Sequence, residues 1–373
     1  MLVTIMKKIG ILTFHRVYNY GAVIQAYSLQ QFLIDNGYDN EIIDFSKKKQ
    51  NDYTNVISIH NGIKRFLKTL MLTPVAGKRI SRKNKFDNFF NQKLLMSGKT
   101  YQNEKELVET NYNYNIFMVG SDQVWNVTKK SDASTAYFFR FADESKKRVA
   151  YAPSIGIATE NDLAPYKHDL KRFHAISCRE QGGADHISKI IDSDVKVVLD
   201  PTLLVDQSAL VKLTEPKEKK SYILYYSLDG FDKRDNNMDI LCALKEKFQL
   251  ELKIVMPEWP FHDKYGEDII DAGPEDFLTL IRNATLICTN SFHGTALSIK
   301  LEKPFFVLED VGIKDERKRS LLNQLGLQNR IISTAHEANV WKDYTLDYAP
   351  VLKKLHSLKK ASEDFLISAL RDD

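Results

Sequence analysis

A buried strand, "KKIGILTF", is followed by the helical pattern "GAVIQAYSLQQFLIDNGY" and then by a second short strand, "NEIIDF". In the middle segment Ala22, Ala26, Leu29, Phe32 and Leu33 fall on one face, and Gly37 supplies the stop. Strands joined in this way run parallel and need a right-handed crossover. The chain therefore opens as a βαβ unit.

The same alternation returns after an interruption. "YNIFMVGSDQVW" restores a strand ending at Gly120, and "RVAYAPSIG", a helix over residues 162–173, "AISCRE" and "VKVVLDPTLLV" continue it. The polar, Lys-rich residues 213–220, "LTEPKEKK", read as a linker because a packed element there would bury almost nothing. Beyond it come strand "SYILYYSL", a helix over residues 238–248, strand "ELKIVMP", helix "PEDFLTLIRNA", strand "TLICTN", a helix from about Gly294 and strand "KPFFVL". The 373 residues suit two domains of roughly 150 to 200 residues each. The expected architecture is α/β: two Rossmann-like domains, 1–212 and 213–373, with a cleft between them. Ligands of such sheets bind at the carboxyl ends of the strands. The closing "VLKKLHSLKKASEDFLISAL" is an amphipathic helix expected to dock on the outside, with packing back on the N-terminal domain as one option.

Charge and cysteine content narrow the function classes. With 43% hydrophobic and 27% charged residues and no apolar run near the roughly 20 residues of a spanning helix, an integral membrane protein is excluded. The start, "MLVTIMKKIGILTF", lacks the features of a signal peptide, so a cytoplasmic protein is expected. Cys178, Cys242 and Cys288 are isolated and odd in number, which points to buried thiols rather than disulfides or structural zinc. The net charge of +4 is too small to imply nucleic acid. It is unevenly spread, however: residues 64–99 hold ten Lys or Arg and one acid, Asp87, within a basic helical insertion near residues 60–100 whose apolar positions include Phe86, Phe89 and Phe90. A solvated helical hairpin accounts for this run, and so does contact with an anionic membrane surface at the inner face.

The polar residues crowd at strand-to-helix turns. In "LICTNSFHGTALSI" free backbone N–H groups and the positive end of a helix dipole meet at the turn, which suits an anion. Gly294 permits close approach to the main chain, Ser291 and Thr295 offer hydroxyls, and His293 would face the same space. A capping serine and a packed histidine would account for the same pattern in purely structural terms. "FHRVYNYGA" offers His15, Arg16, Tyr18, Asn19 and Gly21 in the equivalent position of the first half. "VGSDQVW" adds Ser121, Asp122, Gln123 and Trp125, and "ISCREQGG" adds Arg179 and Glu180.

Taken in order, "GILTFHRVYNYGAVIQAYSLQ", "FMVGSDQVWN", "YAPSIG", "SCREQ", "VVLDPTLLV" and "TNSFHGTALSIKLEKPFFVL" resemble the polysaccharide pyruvyl transferase family. The resemblance implies a GT-B-like fold and a cytoplasmic enzyme of exopolysaccharide or capsule biosynthesis. Such an enzyme moves pyruvate from phosphoenolpyruvate to a hydroxyl pair of a cell-surface glycan or its lipid-linked precursor, as a ketal, and releases phosphate. Many relatives carry an arginine just before the histidine of the last motif, where this chain has Phe292. The donor's cation must then come from Arg179, which matches the family's "RE" arginine, or from Arg16 or Arg282.

On this reading Ser291, His293, Gly294 and the helix start hold the phosphate, Arg179 meets the carboxylate or phosphate, Thr295 and Arg16 are further donor-binding candidates, His293 is also the acid or base, and Asp122 is the second candidate. His15, Asn19 and Gln123 would contact the acceptor sugar, and Trp125 would supply a stacking plane. No cofactor or metal is expected, although Asp122 and Asp200 could hold Mg²⁺. Two other readings stay open: a GT-B glycosyltransferase using a nucleotide sugar, and a non-catalytic glycan-binding protein.

Overall fold

The computed structural model describes residues 7–46, 72–128, 135–215, 221–228, 234–256, 264–310, 312 and 315–371. The chain divides into two compact units, one of Met1–Asn55, Asn88–Asp206 and His356–Asp373, the other of Val56–Asp87 and Gln207–Leu355.

In the first unit β1 (Ile9–Leu12), α1 (Tyr20–Asp35) and β2 (Asn40–Ile42) form the opening crossover, with Ile9 opposite Asn40 and Ile11 opposite Ile42 in parallel register. Residues 88–93, the end of helix α2 (Ala76–Lys93), belong to this unit and precede β3 (Ile116–Val119), β4 (Lys147–Ala150), β5 (Ala175–Cys178), α3 (Gln181–Ile191), β6 (Lys196–Val197) and the short α4 (Pro201–Leu204). The strands lie in the order β2-β1-β3-β4-β5-β6, every neighbouring pair parallel. "IGIL" and "IFMV" are buried throughout, as continuous apolar strands covered on both faces must be.

The second unit holds β7 (Tyr222–Tyr226), α5 (Arg234–Phe248), β8 (Glu251–Val255), β9 (Glu267–Asp268), α6 (Pro274–Asn283), β10 (Leu286–Thr289), α7 (Phe292–Lys300), β11 (Phe305–Leu308), α8 (Glu316–Leu325) and β12 (Ile331–Ile332). Its order, β12-β11-β10-β7-β8-β9, is again wholly parallel. Helix α9 (Ala349–Leu370) closes the chain.

Strand order fixes where ligands can sit. Connections leave β1 toward β2 on one side and reach β3 on the other, and the same reversal falls between β7 and β10. At such a point the two flanking loops diverge and open a crevice at the carboxyl ends. The turns 13–19 and 120–126 border one reversal, and the turn 290–293 borders the other.

Three expectations need correction. The helix read over residues 162–173 is broken into Glu160–Leu163, a 3₁₀ turn Ala164–Tyr166, and Lys167–Leu170. Pro165 lies at the break, where it cannot donate a helical hydrogen bond. The linker read at 213–220 begins inside packed structure: Leu213 and Thr214 are buried, and Arg282 donates to the Thr214 hydroxyl at 2.7 Å. Residues 216–220 lie outside the described ones, as do residues 64–71 of the basic segment. In what is described of that segment, Phe86, Phe89 and Phe90 are buried, Lys83 pairs with Asp87 at 2.6 Å and Lys85 with Asp276 at 2.8 Å. Finally, Cys242 is only half-buried; Cys178 and Cys288 are buried, which pushes both thiols up in pKa.

Candidate functional site

At the first reversal the two turns are stitched together before any ligand is considered. Thr13 donates through its hydroxyl to the Ser121 carbonyl at 2.8 Å, and Gln25 from α1 donates to the same hydroxyl at 2.9 Å. Asp122 adopts φ +79, a left-handed conformation that is costly for a residue with a Cβ. Its carbonyl accepts from Ser154 N and its carboxylate from Gln123 N, each at 2.8 Å. Between the turns lies a cavity of about 200 Å³ lined by Phe14, Val17, Asn19, Ala22, Asp122, Gln123 and Asn126. That is smaller than the roughly 300–1,000 Å³ of pockets for drug-sized ligands and suits a single small ring.

Three residues read from the sequence, Asn19, Asp122 and Gln123, thus share one cavity. Asn19 also caps α1, accepting from Ala22 N at 3.2 Å. Sequence reading missed Asn126, which donates to Gln123 Oε1 at 3.0 Å, and Gly156 above it. A Cβ on Gly156 would come within 2.4 Å of the Asn126 amide, and its φ of +63 disfavours any side chain. The pairing of "YAPSIG" with "VGSDQVWN" is a signal visible only once both strands are adjacent.

Trp125, His15 and Arg16 are placed elsewhere. Trp125 is fully buried, stacked on Phe138 with centroids 5.5 Å apart and edge-on to Phe173, and its indole N–H donates to the Tyr137 carbonyl. It has no face for a sugar; apolar neighbours from residues 135–173 claim it for the core. His15 is 1% exposed, and its ring nitrogens lie 3.0 Å from the Thr13 carbonyl and 3.0 Å from Asp44 Oδ1. Arg16 lays its fork on the same carboxylate, Nε at 2.5 Å from Oδ1 and one NH₂ at 2.7 Å from Oδ2, and Thr100 donates to Oδ2 at 2.6 Å. His15 therefore supports the rim rather than contacting an acceptor, and the charge of Arg16 is largely answered inside the protein.

Asp44, just past β2, was not singled out from the sequence. Burial alone would raise its pKa, but hydrogen bonds from His15, Arg16 and Thr100 outweigh that and hold it well below the usual carboxylate range. A depressed folded value stabilises the fold above the unfolded pKa of about 3.9 and is lost as pH falls toward the folded one. Urea unfolding followed from pH 5 to pH 3 is expected to show Asp44→Asn losing part of the acid dependence of the parent, by at most about 1.4 kcal/mol per pH unit.

Arg179 is 3% exposed and sits beneath these turns. It donates to Asp200 Oδ2 at 3.0 Å and contacts the Ser121 hydroxyl at 3.4 Å; Ser121 itself donates to Oδ2 at 2.7 Å. Thr202 occupies the other Asp200 oxygen through its amide and hydroxyl. Next to it, Glu180 accepts from Ser154 Oγ at 2.8 Å and Ile155 N at 2.9 Å. Arg179 thus braces the loops after β3 and β6. Both Asp200 oxygens are engaged by hydrogen bonds, and among the described residues no trio of His, Cys, Asp or Glu side chains gathers for a metal.

In the second unit Ser291 caps α7: its hydroxyl accepts from Gly294 N at 3.4 Å, a long contact that leaves its own proton available. Thr289 at the end of β10 donates to the Tyr226 carbonyl at 2.7 Å and accepts from Ser291 N at 3.0 Å. A Cβ on Gly294 would meet that Thr289 hydroxyl at 2.3 Å. Helix-to-strand packing alone therefore demands a glycine at position 294. Thr295 is fully buried and returns its hydroxyl to the Ser291 carbonyl at 3.0 Å, which removes it from the expected phosphate contacts. His293, the second residue of α7, is 7% exposed with its ring 5.4 Å from Phe292, nearly perpendicular. Ser291 and His293 remain as side chains at the start of α7. The structure adds Lys318, 4% exposed, which donates to the Asn290 carbonyl at 2.9 Å.

MnaA of S. aureus, solved with UDP, matches with a TM-score of 0.50 at 12% identity, covering 99% of this chain and 99% of that one. The UDP-GlcNAc 2-epimerase of Neisseria meningitidis gives 0.49 at 12%, covering 98% and 95%, and the heptosyltransferase WaaC of E. coli 0.39 at 13%, covering 82% and 90%. With two parallel six-stranded sheets, the match to MnaA defines a protein of the GT-B fold class.

Residues 19–310 match the family model described as polysaccharide pyruvyl transferase, and the chain belongs to that family. Membership makes it a transferase that acts in polysaccharide modification. No curated protein matches the sequence. Among the described residues no helix is long and apolar enough to cross a membrane.

Proposed function

We propose that this transferase moves the pyruvyl group of phosphoenolpyruvate onto two hydroxyls of one sugar in a polysaccharide or its lipid-linked precursor. The reading is carried by the family match, which spans the turns at both sheet reversals, residues 120–126 and 290–293. The donor's phosphate is placed at the start of α7, against the Ser291 hydroxyl and the helix dipole, which favours negative charge there. The acceptor ring is placed in the cavity of Asn19, Asp122, Gln123 and Asn126, whose amides and carboxylate suit hydroxyls.

The chemistry balances without an added redox partner. A proton from an acid reaches the methylene carbon and makes the central carbon electrophilic. One sugar hydroxyl adds to that carbon as its proton leaves to a base. The C–O bond to phosphate breaks, and a second hydroxyl of the same sugar closes the ketal, its proton leaving last. His293 takes the acid or base role because imidazole exchanges protons near neutrality, and Asp122 is the second candidate. No step in this scheme uses a metal.

Phosphate release from phosphoenolpyruvate with a polysaccharide acceptor, measured with Mg²⁺ and again with EDTA, is the direct test. Acceptor-dependent phosphate accompanied by an acid-labile pyruvyl ketal is expected under both conditions. Nucleotide release from a sugar donor, with no loss of phosphoenolpyruvate, would overturn this reading in favour of a glycosyltransferase.

A further inference from the structure

Along one side of α6 the second unit holds a larger cavity, of about 510 Å³, that the proposed transfer leaves unused. Every residue lining it belongs to that unit. It follows α6 from Asp276 in the first turn to Asn283 at the last residue, with Tyr222 and Lys253 supplied by the sheet and Lys85 by α2. Tyr222 opens β7 and Asn283 lies just ahead of β10, so this end of the cavity stands at the amino edge of the sheet. The turn 290–293 stands at the carboxyl edge.

The sheet contributes a polar position where parallel strands are normally apolar. Strand β8, "ELKIV", sends Leu252 and Ile254 into the core with α5 and Lys253 to the opposite face, in register with Leu224. The Lys253 ammonium is 3.2 Å from Glu267 Oε2 and 5.0 Å from the centre of the Tyr222 ring. Tyr222 is buried, and its hydroxyl donates to the Leu280 carbonyl at 2.7 Å. At the other end Lys85 pairs with Asp276 at 2.8 Å and approaches Asp271 at 3.9 Å. Asn283 differs from these, because its side-chain amide makes no hydrogen bond among the described residues.

The volume lies within the roughly 300–1,000 Å³ of ligand pockets, and the lining decides among ligand classes. Two lysines and two aspartates balance one another in it. A phosphate or carboxylate would have to draw an ammonium away from the acid it already holds. A planar base gains little, since the Tyr222 ring is buried beneath the Lys253 ammonium. A hydroxyl suits both partners of an ion pair: nitrogen keeps spare protons and oxygen spare lone pairs, so it donates to one and accepts from the other without parting them. The Asn283 amide offers the same two-way contact, and Ile269 and Leu280 add apolar surface for ring C–H groups.

We propose that this cavity binds a neutral saccharide, roughly one or two pyranose rings of a polysaccharide, apart from the transfer site. The inference rests on the polysaccharide reading above for the source of the ligand, and on the cavity alone for its chemistry. A polysaccharide presents the same ring many times, so modest affinity suffices to hold it.

The test titrates the full chain calorimetrically with a panel of neutral di- and tetrasaccharides of glucose, galactose, mannose, rhamnose and N-acetylglucosamine, and with glucose 6-phosphate for comparison of charge. At least one neutral member is expected to bind, and Asn283→Ala and Lys253→Met each to weaken it by about tenfold, the size of one lost hydrogen bond. Without ligand both variants should melt within a few degrees of the parent, because Asn283 loses no partner and the pair of Lys253 with a largely exposed Glu267 contributes little. Gln123→Ala, which alters the cavity of the first unit, should leave this binding unchanged.

Failure of every neutral member to bind would overturn the proposal, as would equal affinity in the parent and both cavity variants. Loss in Gln123→Ala alone would assign the saccharide to the first unit, and tighter binding of the phosphorylated sugar would overturn the ligand class. If the parent does not consume phosphoenolpyruvate, the proposed function fails and these titrations still decide the cavity; turnover without binding here removes this inference alone.

Discussion

Replacing His293 with asparagine is expected to lower acceptor-dependent phosphate release from phosphoenolpyruvate by about 10²–10⁴-fold, the range typical of a lost general acid or base. Asparagine retains a polar side chain of similar reach, so α7 and its Ser291 cap should persist. The melting temperature should stay within a few degrees of the parent. The expected kinetic signature is a fall in kcat with KM for phosphoenolpyruvate little changed, because the imidazole is assigned a proton transfer rather than ground-state binding. Asp122→Asn, as the second candidate, provides the comparison. If both variants lose activity to the same degree, the two groups share the transfers; if His293→Asn turns over near the parental rate, its chemistry passes to Asp122 or elsewhere. At 7% exposure the ring has a narrow opening to solvent, which suits a proton carrier that must exclude competing water.

The second large effect concerns stability. Arg179→Ala is expected to destabilise the first unit by about 3–5 kcal/mol, since it leaves the Asp200 carboxylate buried without its cation. For a unit of this size the shift in melting temperature would be about 6–20 °C. Asp200→Asn alone is expected to cost less, because Glu180 Oε2 still lies 3.9 Å from Nε of the guanidinium. The double variant Arg179→Met with Asp200→Asn is expected to recover part of the loss, because it removes both charges from the interior together. Calorimetry on the three proteins settles the matter: additive losses would mean that the pair does not act as a unit. Activity would fall as well, since the loops after β3 and β6 lean on this pair.

Much of the architecture could be read from the chain because parallel strands buried on both faces leave uninterrupted apolar runs. "IGIL", "IFMV" and "LICT" are of that kind. Edge strands β9 and β12, two residues each, are too short to show any periodicity and emerge only from pairing. The candidate site divides along similar lines. Asn19, Asp122, Gln123, Ser291 and His293 stand at turns after strands, where local sequence marks them. Trp125 and Arg179 stand at turns too, and only tertiary neighbours separate a core indole and an internal ion pair from ligand contacts. Asp200 is distant in sequence from Ser121, so their pairing has no local trace. Lys318 is hidden for the opposite reason: its neighbours in sequence are all charged, and burial of one among them is decided by where β11 ends.

The shared carboxylate of Asp44 has a consequence for any mutational survey of the first unit. Imidazole and guanidinium from adjacent residues of one turn, and a hydroxyl from a distant segment, all terminate on two oxygens. Losing one of them lets the remaining two rearrange, so the energetic effects at positions 15, 16 and 100 will not sum. That rim behaves as a single mechanical part, and a scan treating its residues one at a time would assign the same loss several times over.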